Sequence, residues 1–270
     1  MSELEAKEAS KSLPSRWKIE QLGDILAPLS DGRTIHQGWS PQAERVPSEA
    51  DDVWGVLKTT AVQPGQFDPA HNKRLPDSLE PRPKLEVEVG DLLMTSAGPR
   101  ARCGVTCLVR QSRPRLMISG KMYRFRVNES VADPKYVEAF LQSPEAERDI
   151  DAIKTGISDS GLNLTQARFR KLTIPIAPLD EQRLIVEAIE SHLSHLDAGV
   201  ESLQRAKRNV ERMRASILQA AVNGRLVHHD TSGESAAALL SKVLSARRIA
   251  WDRDGTPSRK VPWGKPHSDV

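Results

Sequence analysis

The chain has 270 residues, 38% of them hydrophobic and 28% charged, enough for one sizeable core plus an extended polar element, or for two small domains. No apolar run approaches the roughly eighteen residues of a membrane span, and the charged start MSELEAKEASKS lacks the apolar centre of a secretory signal. Two cysteines in a chain this long point to a reducing, cytoplasmic setting; the net charge of +3 is informative only through its distribution.

In chain order, residues 1–12 read as a disordered lead of mixed charge. A short strand-like entry around Trp17–Ile19 follows, then a helical turn or loop, and residues 40–52 form a proline-rich acidic surface loop. VWGVLKTTAV at 53–62 is rich in β-branched residues and reads as a strand, and residues 64–83 as a long polar connection. KLEVEVGDLLMTSAG at 84–98 reads as strand, Gly-Asp turn and second strand, with two more strands at 101–112 and 116–128. Asp133-Pro134 and Ser143-Pro144 each open a short helix, with the first residue as N-cap and proline at the first helical position. A Gly/Ser-rich loop at 155–163 then leads to the longest element.

That element is a helix over 178–224. Apolar residues recur at Ile189, Leu193, Leu196, Val200 and Leu203, alternating steps of four and three, the seam of a helix that packs on another helix. Beyond Leu203 the phase slips by one residue to Ala206, Val210, Met213, Ile217 and Ala220, a stammer that locally overwinds a coiled coil. Asp180 and Glu181 suit the positive end of the helix dipole, and Asn223-Gly224 is a C-terminal stop. A rod of about 65 Å with one apolar seam requires a partner helix. A shorter amphipathic helix at 234–251, able to fold back on the rod, precedes a tail without period. The predicted class is α+β: a β-rich mixed globular domain over 13–177, the long coiled-coil-like helix over 178–224, and a short helix with tail over 225–270.

The candidate chemistry is mostly structural. On one strand, Cys103, Val105, Cys107 and Val109 would share a buried face, with the two cysteine α-carbons ~13 Å apart and beyond disulfide reach. The seven histidines show no paired ligand spacing, so no metal is expected. Asp133-Pro134-Lys135-Tyr136 resembles the Asp-Pro-Pro-Tyr box of adenine-N6 methyltransferases, but helix capping explains it and no Gly-rich cofactor loop lies upstream. Pro76-Asp77 followed by Glu86-Val87-Glu88 lacks the lysine of a nuclease metal site. P-loop, G-x-S-x-G and H-E-x-x-H motifs are missing, and no catalytic residue is assigned.

The basic residues say more. Leu92 to Asn128 holds eight of them and no acidic one, with Tyr123 and Phe125 interleaved. Arg100, Arg102, Lys121 and Arg124 are the predicted DNA contacts of this window, with Lys58 and Lys154 as further cations. Ser158, Ser160 and Asn163 in the Gly/Ser loop are a candidate phosphate clamp. The competing reading is a solvated β face on which Arg124 and Arg126 alternate with Tyr123 and Phe125.

Four segments carry a family resemblance: LPSRWKIEQLGDI at 13–25, VGDLLMTSAG at 89–98, PKYVEAFLQS at 134–143, and IPIAPLDEQRLIVEAIESHLSHLD from 174 running on to ILQAAVNG. Together they resemble the specificity subunit of a Type I restriction–modification system, over about Leu13 to Trp251. The resemblance implies a non-catalytic DNA-reading protein. Its globular target-recognition domain would read half of a bipartite site in double-stranded DNA. Its spacer helix would pair through Ile189, Leu193, Leu196, Val200, Leu203, Val210 and Ile217. Modification (methyltransferase) subunits would dock on the helical region and bring S-adenosylmethionine, with none bound in this chain, and restriction (motor) subunits would add cleavage. Members usually carry two recognition domains and two spacers, whereas this sequence has one of each. Expectations are therefore a half-subunit forming a homodimer on a palindromic site, or the front half of a longer or split protein with an asymmetric site. Two alternatives stay open: a coiled-coil assembly scaffold that does not bind DNA, and a stand-alone nuclease or methyltransferase.

Overall fold

The computed structural model describes residues 13–228 and 233–253. The expected disordered lead at 1–12 and the tail from 254 onward lie outside the described residues. In chain order the strands are β1 (Lys18–Gln21), β2 (Leu26–Ala27), β3 (Ile35–Gln37), β4 (Gly55–Leu57), β5 (Val62–Gln63), β6 (Gln66–Phe67), β7 (Asn72–Arg74), β8 (Leu92–Thr95), β9 (Ala97–Gly98), β10 (Thr106–Leu108), β11 (Leu116–Met117), β12 (Met122–Val127), β13 (Leu162–Asn163) and β14 (Thr173–Ile176). The helices are α1 (Pro134–Leu141), α2 (Pro144–Ala152), α3 (Gln166–Phe169), α4 (Leu179–Val222) and α5 (Ala236–Arg253). The chain divides into two compact units, residues 1–197 and 198–270.

The first unit is built around β12, which pairs antiparallel with β8, β2 and β3, while β10 extends the sheet beyond β8. Alternation along β8 and β12 explains its central place. Leu92, Met94, Tyr123, Phe125 and Val127 face one apolar cluster containing Phe169 and Ile174. Leu93 and Met122 face a second, containing Val56, Leu57, Val109, Met117 and Ile118. With both faces covered, β8 reads as an unbroken apolar run. A smaller sheet, β11-β4-β7, carries part of the second cluster.

The opening strand β1 pairs with β14, Lys18 opposite Ile176, so the start of the domain lies beside the segment that feeds α4. The helix root is then locked by side chains. Gln182 is buried; its Nε2 donates to the Ala177 and Val131 carbonyls (2.7 and 3.0 Å), and its Oε1 accepts from Asp133 N (2.8 Å). Glu181 accepts from Trp17 Nε1 at 2.9 Å and pairs with Arg16 at 2.8 Å. Leucine at 182 leaves three main-chain groups unsatisfied. It should destabilise the first unit by about 2 kcal/mol in urea unfolding, while Glu181→Ala, half-exposed, costs under about 1 kcal/mol.

Both predicted N-caps form: Asp133 Oδ1 accepts from Lys135 N (2.8 Å) and Ser143 Oγ from Ala146 N (3.1 Å). Several strand expectations need correction. Residues 53–62 split into β4, a 3-10 turn at Thr59–Ala61 and β5. Residues 84–89 carry only an isolated bridge, Glu86 to Met117, beside a 3-10 turn. The chain also turns at 99–104, where the Arg102 and Cys103 N–H groups both donate to the Pro99 carbonyl, so Cys103 precedes β10 instead of sharing its face with Cys107. Gly104 is left-handed (φ +94°), and a Cβ there would strike Ile150. Both cysteines are nonetheless buried and free, in different clusters, and burial pushes the Cys107 thiol up to about 12.

The 44-residue α4 nearly matches the predicted span. Its seam residues Ile189, Leu193, Leu196, Val200, Leu203, Val210 and Ile217 are all exposed. α5 fully buries none of its residues, and Leu244 is partly buried. Among the described residues no helix is long and apolar enough to cross a membrane.

Candidate nucleic-acid interface

The basic window is far less bare in space than in sequence, because carboxylates arrive from other segments. Arg110 pairs with Glu138 of α1 (2.6 Å), and Arg126 with Glu88 (2.8 Å) and Asp91 (2.7 Å). Arg113 donates to the carbonyls of Ser48, Ala50 and Val53, and Arg115 to that of Asp52.

Three of the predicted DNA contacts, Arg124, Arg102 and Lys154, are engaged within the domain itself. Arg124 is only 4% exposed; its guanidinium donates to the Glu86 carbonyl and lies 3.6 Å from the buried Asp91 carboxylate. Strand alternation does separate it from Tyr123 and Phe125, but the face it occupies is covered, not solvated. Burial drives the Asp91 carboxyl above its usual range, against the pull of Arg124 and Arg126. Arg102 reaches across to the carbonyls of Thr59 and Val62 and to Gln63 Oε1, and so ties the 99–104 turn to β5. The Lys154 side chain is 7% exposed, its Nζ donating to the Arg100 carbonyl and Asp151, both at 3.0 Å.

Arg100 is half-exposed yet committed. It pairs with Asp151 at 2.5 Å and Asp159 at 3.0 Å, and its N–H donates to the Asp159 carbonyl. Both carboxylates hold its guanidinium more firmly protonated than usual, Asp159 contributing most through its hydrogen bond. Arg100 and Lys154 thus clamp the 155–163 loop between α2 and the 99–104 turn. The loop's base closes through paired Thr155 and Asn163 backbones (2.7 and 2.8 Å) and through β13 on β9. Ser158 and Ser160 are exposed, their hydroxyls 3.0 Å apart, and Asn163 is exposed on β13.

Lys121 is exposed and Lys58 half-exposed, and among the described residues neither has an ion-pair partner. Lys121 adjoins the clamp: its carbonyl accepts from Ser96 N and the Ser96 carbonyl from Leu164 N, both at 2.8 Å. Next to it, Gln37 Nε2 donates to the Gly120 carbonyl at 3.1 Å. Gln37 also lines a polar cleft of about 540 Å³ with Gly32–Ile35, Gln166 and Arg170. The sequence reading missed this cleft. Its two walls lie some 130 positions apart in the chain, and its only local signal is the Asp31-Gly32-Arg33 turn.

No protein-family model matches the chain. It is 36% identical over 211 residues to the Type I restriction enzyme EcoEI specificity subunit of Escherichia coli, covering 78% of this chain and 34% of that protein. It is 23% identical over 257 residues to the EcoKI specificity subunit of Escherichia coli K12, covering 94% and 53%. The chain thus spans about a third to a half of these relatives. Among solved structures, it is similar to the HsdS subunit from Thermoanaerobacter tengcongensis (TM-score 0.51, 20% identity, 80% of this chain and 47% of that one). It is also similar to a chain from a structure of type I R-M system assembly and conformational transition (TM-score 0.54, 18% identity, 80% and 48%).

Proposed function

We infer that this chain, a homologue of the type I restriction–modification specificity subunits, is a non-catalytic DNA-recognition subunit working in the cytoplasm. The observation that carries this reading is the 36% identity over 211 residues. The geometry gives the relationship a physical sense. A preorganised loop and an adjacent free lysine sit on the domain, and Gln182 and Glu181 fix the root of a long helix to that same domain. In this reading the domain takes one half of a bipartite duplex site. α4 pairs with a second spacer helix, from another copy or another half-subunit, and so sets the distance to the other half. Modification subunits dock on the helical region and supply S-adenosylmethionine and adenine methylation; restriction subunits join for cleavage.

Co-expression with the cognate modification subunit, followed by mapping of methylated adenines, tests this directly. A new bipartite motif is expected; a competent methyltransferase that gains no motif would leave the exposed seam as evidence for a scaffold. Electrostatics offers a finer check. Lys121→Gln should lower the salt slope of duplex binding by about one and weaken all sequences alike, because it removes one phosphate contact. Arg102→Gln should leave that slope unchanged while lowering the melting temperature. Equal slopes for wild type and Lys121→Gln would take Lys121 out of the interface.

A further inference from the structure

We propose that the cleft between Gly32–Gln37 and α3 is where this domain reads its half-site, with Arg33 and Arg170 on a DNA phosphate and Gln166 and Gln37 on a base edge. The assignment rests on the DNA-recognition reading above and names the residues that carry it.

The cleft is concave, about 540 Å³, and none of its lining residues is acidic. Its two arginines differ from those of the basic window, because neither is spent on a close carboxylate. The Arg33 side chain is 72% exposed, and its nearest carboxylate oxygen, on Asp31, is 3.9 Å away. Asp31 is engaged elsewhere, on His36 Nε2 at 2.8 Å and the Arg33 backbone N–H at 3.2 Å. Arg170 donates one N–H to Thr34 Oγ1 at 2.5 Å, which orients its guanidinium across the cleft without neutralising it. Arg170, with no ion pair among the described residues, and the mostly exposed Arg33, held by Asp31 only at 3.9 Å, together favour an anion in this concavity, and the phosphodiester is the anion that duplex DNA presents.

Two carboxamides stand beside these arginines. Gln166 is half-exposed, and among the described residues its side chain has no hydrogen-bond partner. Gln37 spends one N–H on the Gly120 carbonyl and keeps its Oε1 and a second N–H. A carboxamide offers the donor and acceptor that match the N6 and N7 edge of adenine in the major groove.

The walls are also preorganised. The Arg33 carbonyl accepts from Leu29 N at 2.7 Å around a left-handed Gly32 (φ +79°). β3 is held on β12, and Gly38 lies so close to the carbonyls of Ile118 and Ser119 that no Cβ fits there. On the other side α3 is pinned by the buried Phe169. Lys121, adjoining Gln37 through Gly120, continues the cationic surface outward.

The test uses the full chain with its modification subunits, duplex binding across a salt series, and methylated-adenine mapping. Thermal melting of each variant confirms that it is folded. Arg33→Gln should weaken specific and random duplexes alike and lower the salt slope by about one. Gln166→Ala should keep the slope and relax the motif at one base pair, with discrimination there falling about tenfold or more. Gln166→Glu should shift that position away from adenine, because a carboxylate only accepts. If folded Arg33→Gln and Gln166→Ala complexes keep wild-type slope and motif while the wild type binds specifically, the cleft assignment is wrong and the DNA reading stands. If the wild-type complex shows no sequence-specific binding or methylation, both are wrong. A Gln166→Ala complex with weaker binding but an unchanged motif overturns the base contact.

Discussion

Replacing Arg124 with methionine should destabilise the first unit by about 3 kcal/mol in equilibrium urea unfolding of the full chain and leave the salt slope of duplex binding where it was. The size follows from what the guanidinium does. It is buried, donates to the Glu86 carbonyl and faces Asp91, which has no exposed surface. Removing one member of a buried ion pair strands the other, a loss of roughly 3–5 kcal/mol. The lower end applies here because Arg126 still reaches Asp91 at 2.7 Å.

A pH dependence follows with a definite sign. Burial, the largest influence, raises the folded carboxyl of Asp91, and Arg124 opposes that rise. A carboxyl whose folded pKa lies above its unfolded value contributes stability below the unfolded pKa and loses it as pH climbs through the folded one. Removing Arg124 raises the folded value further, so protonation relieves more of the stranded charge in the variant than in the wild type. The stability gap between the two therefore narrows as pH falls from neutral into the acid range. The depressed carboxyls of Asp31 and Asp151, held down chiefly by hydrogen bonds to His36 and Lys154, lose their contribution on acidification in both proteins and cancel in the difference. A gap that stays constant across this range would mean that Asp91 is not the group left unpaired.

Arg124 also marks where sequence reasoning stops. The N-caps Asp133 and Ser143, the seam of α4 and the buried cysteines depend on residues a few positions apart, and local spacing reveals them. Charge compensation is not local. The acids that meet the basic window are Glu88 and Asp91 ahead of it and Glu138, Asp151 and Asp159 beyond it, up to 59 positions from the arginines they pair with. A window free of acid in sequence is thus a network of ion pairs in space. The turn at 99–104 was hidden for a related reason: Gly104 lies against Ile150 of α2, a contact that no strand pattern encodes. The cleft of Arg33, Gln37, Gln166 and Arg170 exists only once β3 and α3 are brought together. By contrast, Gln182 stands inside the Pro178-Leu179-Asp180-Glu181-Gln182 run, part of one of the four segments that carry the family resemblance, and the three hydrogen bonds of its buried side chain supply a physical reason for that residue.

Leu196→Asp should weaken helix pairing about a thousandfold, some 4 kcal/mol, while the first unit keeps its melting behaviour within about 0.5 kcal/mol. The asymmetry arises because Leu196 is 64% exposed in the chain by itself, so the carboxylate is solvated until a partner helix arrives. On pairing it would be buried without a counter-charge, beside Leu193 and Val200. Sedimentation of the full chain over a concentration series should show a smaller species for Leu196→Asp, with Leu196→Met close to wild type; an unchanged assembly would remove these residues from the seam. Duplex binding by the variant should persist at low salt, since the domain carrying Lys121 is untouched, while the bipartite methylation motif disappears. The phase slip between Leu203 and Ala206 constrains the partner further. It lies close to the middle of Leu179–Val222, so an antiparallel pair of identical helices crossing there brings the two slips opposite each other and keeps both halves of the seam in contact. In such a pair a shift of a full heptad would set slip against regular heptads and expose apolar residues on both helices, so the slip would favour one register and with it one spacing of the two halves of the proposed site.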